Sequence, residues 1–142
     1  MKICIGSDHR GYELKQFMLH KLQGYAWHDV GTHSVERTDY PLYAQHVCKA
    51  VVSGAADVGV LICGSGIGMA IAANRFTGIY AGLCWNQEVA QVARQDDGIN
   101  VLILPSDFVT NEQGIAIFNA WIGAQFKGGH YQDRLNLIDK KF

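Results

Sequence analysis

The sequence predicts a three-layer α/β/α sandwich built on a five-stranded parallel sheet. Three observations predict it. Short β-rich runs alternate with segments of helical period five times over, a rhythm that requires crossover connections and therefore parallel strands. The runs VGVLIC and NVLIL are apolar without alternation, as expected of central strands covered on both faces by helices. The chain has 142 residues, of which 49% are hydrophobic, enough to fill one core of ordinary size. A single domain over residues 1–142 follows.

In chain order, KICIG is the first strand and GYELKQFMLHKLQ the first helix; YAWHDVG and PLYAQHVCKAVVSG are the second pair. DVGVLICG leads into IGMAIAANRF, GIYAGLCW into NQEVAQVARQD, and INVLILP into NEQGIAIFNAWIGAQF. The tail beyond Phe126, KGGHYQDRLNLIDKKF, opens on two glycines and regains a helical pattern through Leu135 and Ile138. It reads as a short extra helix that reaches a neighbouring subunit. In open parallel sheets ligands gather at the carboxyl ends of strands. The loops that matter are therefore SDHRG, GTHSVERTDYP, CGSGIG, WNQE and the stretch after LILP.

Charge and cysteine usage narrow the function. Twelve basic residues stand against 13 acidic ones, spread along the chain. Such a balance lacks the basic patch that nucleic acid or an anionic membrane surface needs. No apolar run approaches the roughly 20 residues of a membrane span, and the N-terminus lacks a signal-peptide core, so a cytoplasmic location is expected. Cys4, Cys48, Cys63 and Cys84 are far apart without CxxC spacing, so free thiols are expected and neither a zinc site nor a disulfide framework. His20, His28 and His46 lack the spacing of metal ligands and read as structural. No metal and no cofactor is expected.

Cys63 is the residue with the clearest chemistry. It closes the third strand and is followed by Gly64, Ser65, Gly66, Ile67 and Gly68, which lead into a helix. A thiol there faces unpaired backbone donors and the helix dipole, which favour the thiolate and should lower a pKa of about 8.5 toward neutrality. It could then serve as base or nucleophile, and the glycine loop's N–H groups could hold a phosphate or an enediolate oxygen. A buried cysteine beside a tight turn fits the spacing equally well. No Lys follows the loop, and Met69 stands where a third fingerprint glycine would be, so nucleotide binding has little support. Asp8 and His9 follow the first strand on the same edge, but loop residues of this kind cap helices as often as they bind ligands. Tyr40 either packs in the core or aims its hydroxyl at a ligand. Cys4, Cys48 and Cys84 fall within elements and read as core.

Taken together, IGSDHRGYELK, DVGTHSVERTDYPLYA, GVLICGSGIGMAIAANRFTGIYA, ARQ, NVLIL and AWIGAQFKGGHYQDR resemble the type B ribose-5-phosphate isomerases and the related galactose-6-phosphate isomerase subunits. The resemblance runs over nearly the whole chain. It implies a Rossmann-like sandwich that works as a homodimer or dimer of dimers, with sites at the subunit interface and a small sugar or sugar phosphate as partner. It implies Cys63 as the base that moves a proton between C1 and C2 through a cis-enediolate. Gly64 to Gly68 would stabilise that intermediate, Asp8 would hold sugar hydroxyls, His9 would lie near the substrate's far end, and Tyr40 matches a substrate-site tyrosine. Ser65 replaces a threonine and keeps its hydroxyl.

Several positions depart from the resemblance. Asp96 stands at the position of the ring-opening histidine, and Asp97 where an asparagine is usual. Asp107 and His130 fall where phosphate-binding arginines are expected, leaving Arg134 alone of that trio. A carboxylate in place of a guanidinium repels a dianion rather than holding it. The expectation is an isomerase with proton transfer retained and its substrate altered, with Asp96 as ring-opening acid or base and Asp97, Asp107 and His130 at the substrate. The alternative is an ordinary ribose-5-phosphate isomerase in which His33 opens the ring. A third reading is a sugar-binding subunit without turnover.

Overall fold

The computed structural model describes residues 1–140. Five parallel strands form one sheet, β1 (Lys2–Ser7), β2 (Ala26–Asp29), β3 (Val58–Cys63), β4 (Ala81–Leu83) and β5 (Val101–Pro105), in the order β2-β1-β3-β5-β4. Between and after them run α1 (Tyr12–Lys21), α2 (Tyr40–Val52), α3 (Ile67–Ala73), α4 (Gln87–Asp97), α5 (Asn111–Ile122) and α6 (His130–Asp139).

The strands' alternation feeds two cores. Ile3, Ile5, Val58, Val60, Ile62, Leu102 and Leu104 face α1, α4 and α5, where Met18, Phe118 and Trp121 fill the layer. Cys4, Leu61, Cys63, Val101 and Ile103 face α2 and α3, against Val47, Cys48 and Met69. Helices on both faces explain why β3 and β5 are buried along their whole length, as their unbroken apolar runs require. The Rossmann-like three-layer sandwich is therefore the observed architecture.

The elements end sooner than periodicity predicts, for local reasons. Helix α3 stops at Ala73, where the side-chain amide of Asn74 ties its last turn to the edge of β4. Its Nδ2 donates to Ala70 O at 3.1 Å and Ala81 O at 2.9 Å, while its Oδ1 accepts from Ala81 N at 2.9 Å. Strand β4 is an edge strand with one neighbour and shrinks to Ala81–Leu83. Cys84, expected inside it, lies one residue beyond and is still fully buried. Helix α5 starts at a reciprocal cap between Thr110 and Gln113 and gives way at Gly123 rather than continuing to Phe126. Helix α6 docks on its own chain through buried Leu135 and a hydrogen bond from the Tyr80 hydroxyl to Asp139 Oδ2 at 2.5 Å. It leaves Leu137 and Ile138 exposed.

One fully buried charge was not legible in the sequence. Lys15 in α1 is inaccessible and its ammonium contacts both oxygens of Asp29, at 2.7 and 2.6 Å. A cation so buried persists only when paired and hydrogen-bonded, and this pair pins the end of β2 to α1.

Candidate active site

Strands β1 and β3 are neighbours whose crossovers run to opposite sides of the sheet, β1 to β2 and β3 onward to β4. Their carboxyl ends therefore flank the crevice at which an open α/β sheet binds ligands. Cys63 ends β3 there, and Asp8 follows β1. Asp8 is only 5% exposed, and its Oδ1 accepts from the N–H groups of Arg10 at 3.0 Å and Gly11 at 3.1 Å. Alternation along β3 turns the Cys63 side chain toward α2 and α3, into the layer that holds Met69.

The glycine loop is shaped by what stands against it. Gly66 has φ 76°, a left-handed conformation, and a Cβ on it would lie 2.4 Å from Leu83 Cδ1. A Cβ on Gly68 would stand 2.5 Å from Tyr40 Cζ, so the half-buried Tyr40 ring lies directly over the loop. The Ser65 hydroxyl accepts from Ile67 N at 3.2 Å and so braces the turn into α3.

For the thiol itself, one expectation is corrected. Backbone N–H groups of Met69, Gly66 and Ser65 do point at Cys63 and favour the thiolate. Burial, however, disfavours the charge more strongly, and the nearby Asp8 carboxylate adds to it, so the pKa lies above its ordinary 9.0. The lowering toward neutrality inferred from the helix terminus is outweighed because Cys63 is only 4% exposed.

His9 and the loop after β2 form one wall. Thr38 N donates to His9 Nδ1 at 3.3 Å, which places the neutral ring's proton on Nε2. The Thr38 hydroxyl is in turn 2.8 Å from the Tyr43 hydroxyl. His33 is exposed on the same edge, its Nδ1 3.9 Å from Asp29 Oδ2. Asp107 forms the opposite rim and is ion-paired with Arg10. Sequence reasoning missed Arg10, Thr38 and Ser106, because nothing in their spacing shows which distant loop they meet.

Within one chain, Asp8, His9, Tyr40, Cys63, Gly64 to Gly68 and Asp107 therefore come together, and the other four do not. Asp96 and Asp97 end α4, and His130 and Arg134 lie on α6. Helix α6 meets Tyr80, which precedes β4, so these residues occupy the amino edge of the sheet. The five residues of β5 separate the two edges by roughly 13 Å. Asp96 is not a free carboxylate: Lys127 Nζ donates to its Oδ1 at 2.7 Å, a contact that raises the Lys127 pKa. Lys127 and Arg134 both stack on Tyr131, 5.1 and 5.4 Å from its ring centre, with the His130 ring 4.2 Å away. Lys127 is a further residue that the sequence did not single out.

Among the described residues no cluster of His, Cys, Asp and Glu is arranged to hold a metal ion, and no helix is long and apolar enough to cross a membrane. The four cysteines are free and buried. A surface groove of about 530 Å³ between α1 and α5, lined by Phe17, Leu22 and Ile115, contains none of the site residues.

Residues 3–138 match the Ribose/Galactose Isomerase family. The chain is 46% identical over 139 residues to the ribose-5-phosphate isomerase B of Escherichia coli, covering 96% of this chain and 93% of that protein. The crystal structure of a ribose 5-phosphate isomerase from Thermotoga maritima superposes with a TM-score of 0.96 at 40% identity, covering 99% of this chain and 98% of the other. Ribose-5-phosphate isomerase B from Mycoplasma genitalium, solved with bound ribulose-5-phosphate, superposes with a TM-score of 0.93 at 37% identity over 98% and 94% of the two chains. On this family match and these likenesses in sequence and fold, the chain belongs to the ribose/galactose isomerase family and is an aldose–ketose isomerase.

Proposed function

We propose that Cys63 is the base of the isomerisation and that the substrate is a pentose phosphate of the kind its relatives' names carry. The observation that supports the chemistry is a thiol at the sheet's switch point, met by the N–H groups of Ser65, Gly66 and Met69 and flanked by Asp8. The Cys63 thiolate removes the C2 proton of the open-chain aldose. The C–H electrons form the C1–C2 double bond, and the carbonyl electrons move to O1, giving a cis-enediolate held by loop N–H groups. The proton is then delivered to C1 while the O2 hydroxyl loses its own to O1. Asp8 orients the hydroxyls, Tyr40 closes the loop from above, and the Ser65 hydroxyl holds the turn.

The working unit in this reading is a homodimer, alone or doubled into a tetramer. One chain leaves Asp96, Asp97, His130 and Arg134 on the edge remote from Cys63, and a second copy brings its own set to that thiol. Such an arrangement is a two-fold contact in which each chain completes the other's site. Arg134 then supplies positive charge from across the interface, with the His130 ring and the Lys127–Asp96 pair beside it. With Asp96 held by Lys127, His33 is the better placed group for opening a furanose ring, since it shares the edge with His9 and Cys63.

A second reading, a substrate without a phosphate, is favoured by the Asp107 carboxylate at the rim of this site. The names of the relatives rank it behind the pentose phosphate. Solvent deuterium incorporation followed by NMR decides: ribose 5-phosphate, allose 6-phosphate and free sugars are offered in turn, with Cys63→Ala as the control. Exchange at C2 of ribose 5-phosphate that disappears in Cys63→Ala is the expected result. Exchange confined to unphosphorylated sugars would establish the second reading, and silence on every sugar would point to binding without turnover.

A further inference from the structure

We propose that Arg10 is a specificity-determining residue, whose guanidinium, positioned by Asp107 above the glycine loop, holds a phosphate at the non-reacting end of the substrate. This deepens the isomerase reading and rests on it. The backbone of Arg10 is fixed from two sides. Its N–H donates to Asp8 Oδ1 at 3.0 Å, and its carbonyl lies 3.0 Å from the Ser106 hydroxyl, which is also 3.1 Å from the carbonyl of Cys63. The loops after β1, β3 and β5 are thus tied together beside the thiol.

The side chain then folds over the residue next to the base. A Cβ on Gly64 would stand 2.8 Å from Arg10 Nε, 2.9 Å from its Cζ and 2.7 Å from Asp107 Oδ2. Gly64 is bare where the ion pair comes down on it. Asp107 is itself anchored, its N–H donating to Gly64 O at 2.9 Å. The two side chains remain 58% and 36% exposed, so the pair adds little to the stability of the fold. What the pair does is aim a guanidinium. Asp107 engages one terminal nitrogen, and the half-exposed guanidinium carries further N–H donors beside it.

An aspartate at position 107 therefore acts opposite to its charge. Standing alone it would repel a phosphate. Paired, it removes the rotamer freedom of an arginine delivered from another loop and leaves a guanidinium at the rim.

The test uses the full-length protein with two variants, Arg10→Ala and the double variant Arg10→Ala with Asp107→Arg, each first checked for an unchanged Tm. Two readouts are taken: KM and kcat for ribose 5-phosphate, and binding of inorganic phosphate by ³¹P line broadening. Arg10→Ala should raise KM roughly ten- to hundredfold, the range for losing a charged hydrogen bond, with kcat nearly kept. It should also abolish phosphate broadening, and the double variant should recover most of both losses by returning a guanidinium from the other loop. Unchanged KM and broadening in Arg10→Ala would overturn the proposal, as would a loss confined to kcat or a loss that the double variant does not recover. The phosphate readout needs no turnover. Arg10-dependent broadening in a wild-type protein that exchanges no sugar proton would sink the isomerase reading and leave the Arg10 anion site standing; turnover with Arg10-independent broadening would do the reverse.

Discussion

A thiol that removes a carbon-bound proton has to be basic enough to take it and ionised often enough to act. In Cys63 these demands are set against each other by named neighbours: burial and Asp8 hold the proton on, while the N–H groups of Met69, Gly66 and Ser65 ease it off. The raised pKa has a direct kinetic consequence. If the thiolate is the active form, kcat/KM climbs with pH through the neutral range. Asp8→Asn removes the opposing charge but keeps an oxygen for the Arg10 and Gly11 N–H groups. The rising limb should then shift to lower pH while the rate at its plateau falls for want of a hydroxyl-orienting carboxylate. A limb that stays in place in Asp8→Asn would show that the carboxylate does not act on the thiol.

At the level of elements, α3 and β4 are both short and are tied to each other by one side chain. Asn74 ends the helix and holds the strand through three hydrogen bonds, all on the amino side of the sheet and away from Cys63. Asn74→Ala should cost about 1–2 kcal/mol of stability, seen as a lower urea midpoint, because Ala81 loses its partners at an edge strand that has only β5 to lean on. Activity of the folded variant should change little. A large kcat effect would mean that the loop around Gly66 and Gly68 is held in place from the far end of α3. The glycines show the same economy of space, since Leu83 of β4 and Tyr40 of α2 occupy the room that side chains at Gly66 and Gly68 would need.

For the whole molecule, two properties follow from where charges and thiols lie. If two chains complete each other's sites, an equimolar mixture of Cys63→Ala and Arg134→Ala, unfolded and refolded together, regains about a quarter of the wild-type sites. Half of the random dimers are mixed, and each mixed dimer has one site with both residues intact. Activity no greater than the sum of the separate variants would exclude a shared site. The second property concerns alkali. Burial holds Cys4 up to about 11 and Cys48 and Cys84 up to about 12, against 9.0 for the exposed thiol. The folded chain keeps these protons while the unfolded chain loses them, so their contribution is complete below pH 9.0 and falls as pH rises toward 11 to 12. The slope is about 1.4 kcal/mol per pH unit for each thiol, and Cys84→Ala should flatten it in urea titrations between pH 9 and 11.

The layered parallel sheet, the order of its elements and the Cys63 glycine loop are all local matters of period and composition. VGVLIC and NVLIL are apolar on both faces because both faces are covered, and that can be read without coordinates. The family too is legible in the motifs. The partners of charged side chains are not. Arg10 and Asp107 are 97 positions apart in number but meet over Gly64, Lys15 is buried because Asp29 lies across from it, and Asp96 is taken up by Lys127. Such pairings depend on which loops a sheet edge brings together, a long-range property that no window of sequence contains. The pKa of Cys63 belongs to the same class: adjacency to a helix N-terminus is written in the chain, whereas the burial that outweighs it arises only when α2 and α3 close over the strand.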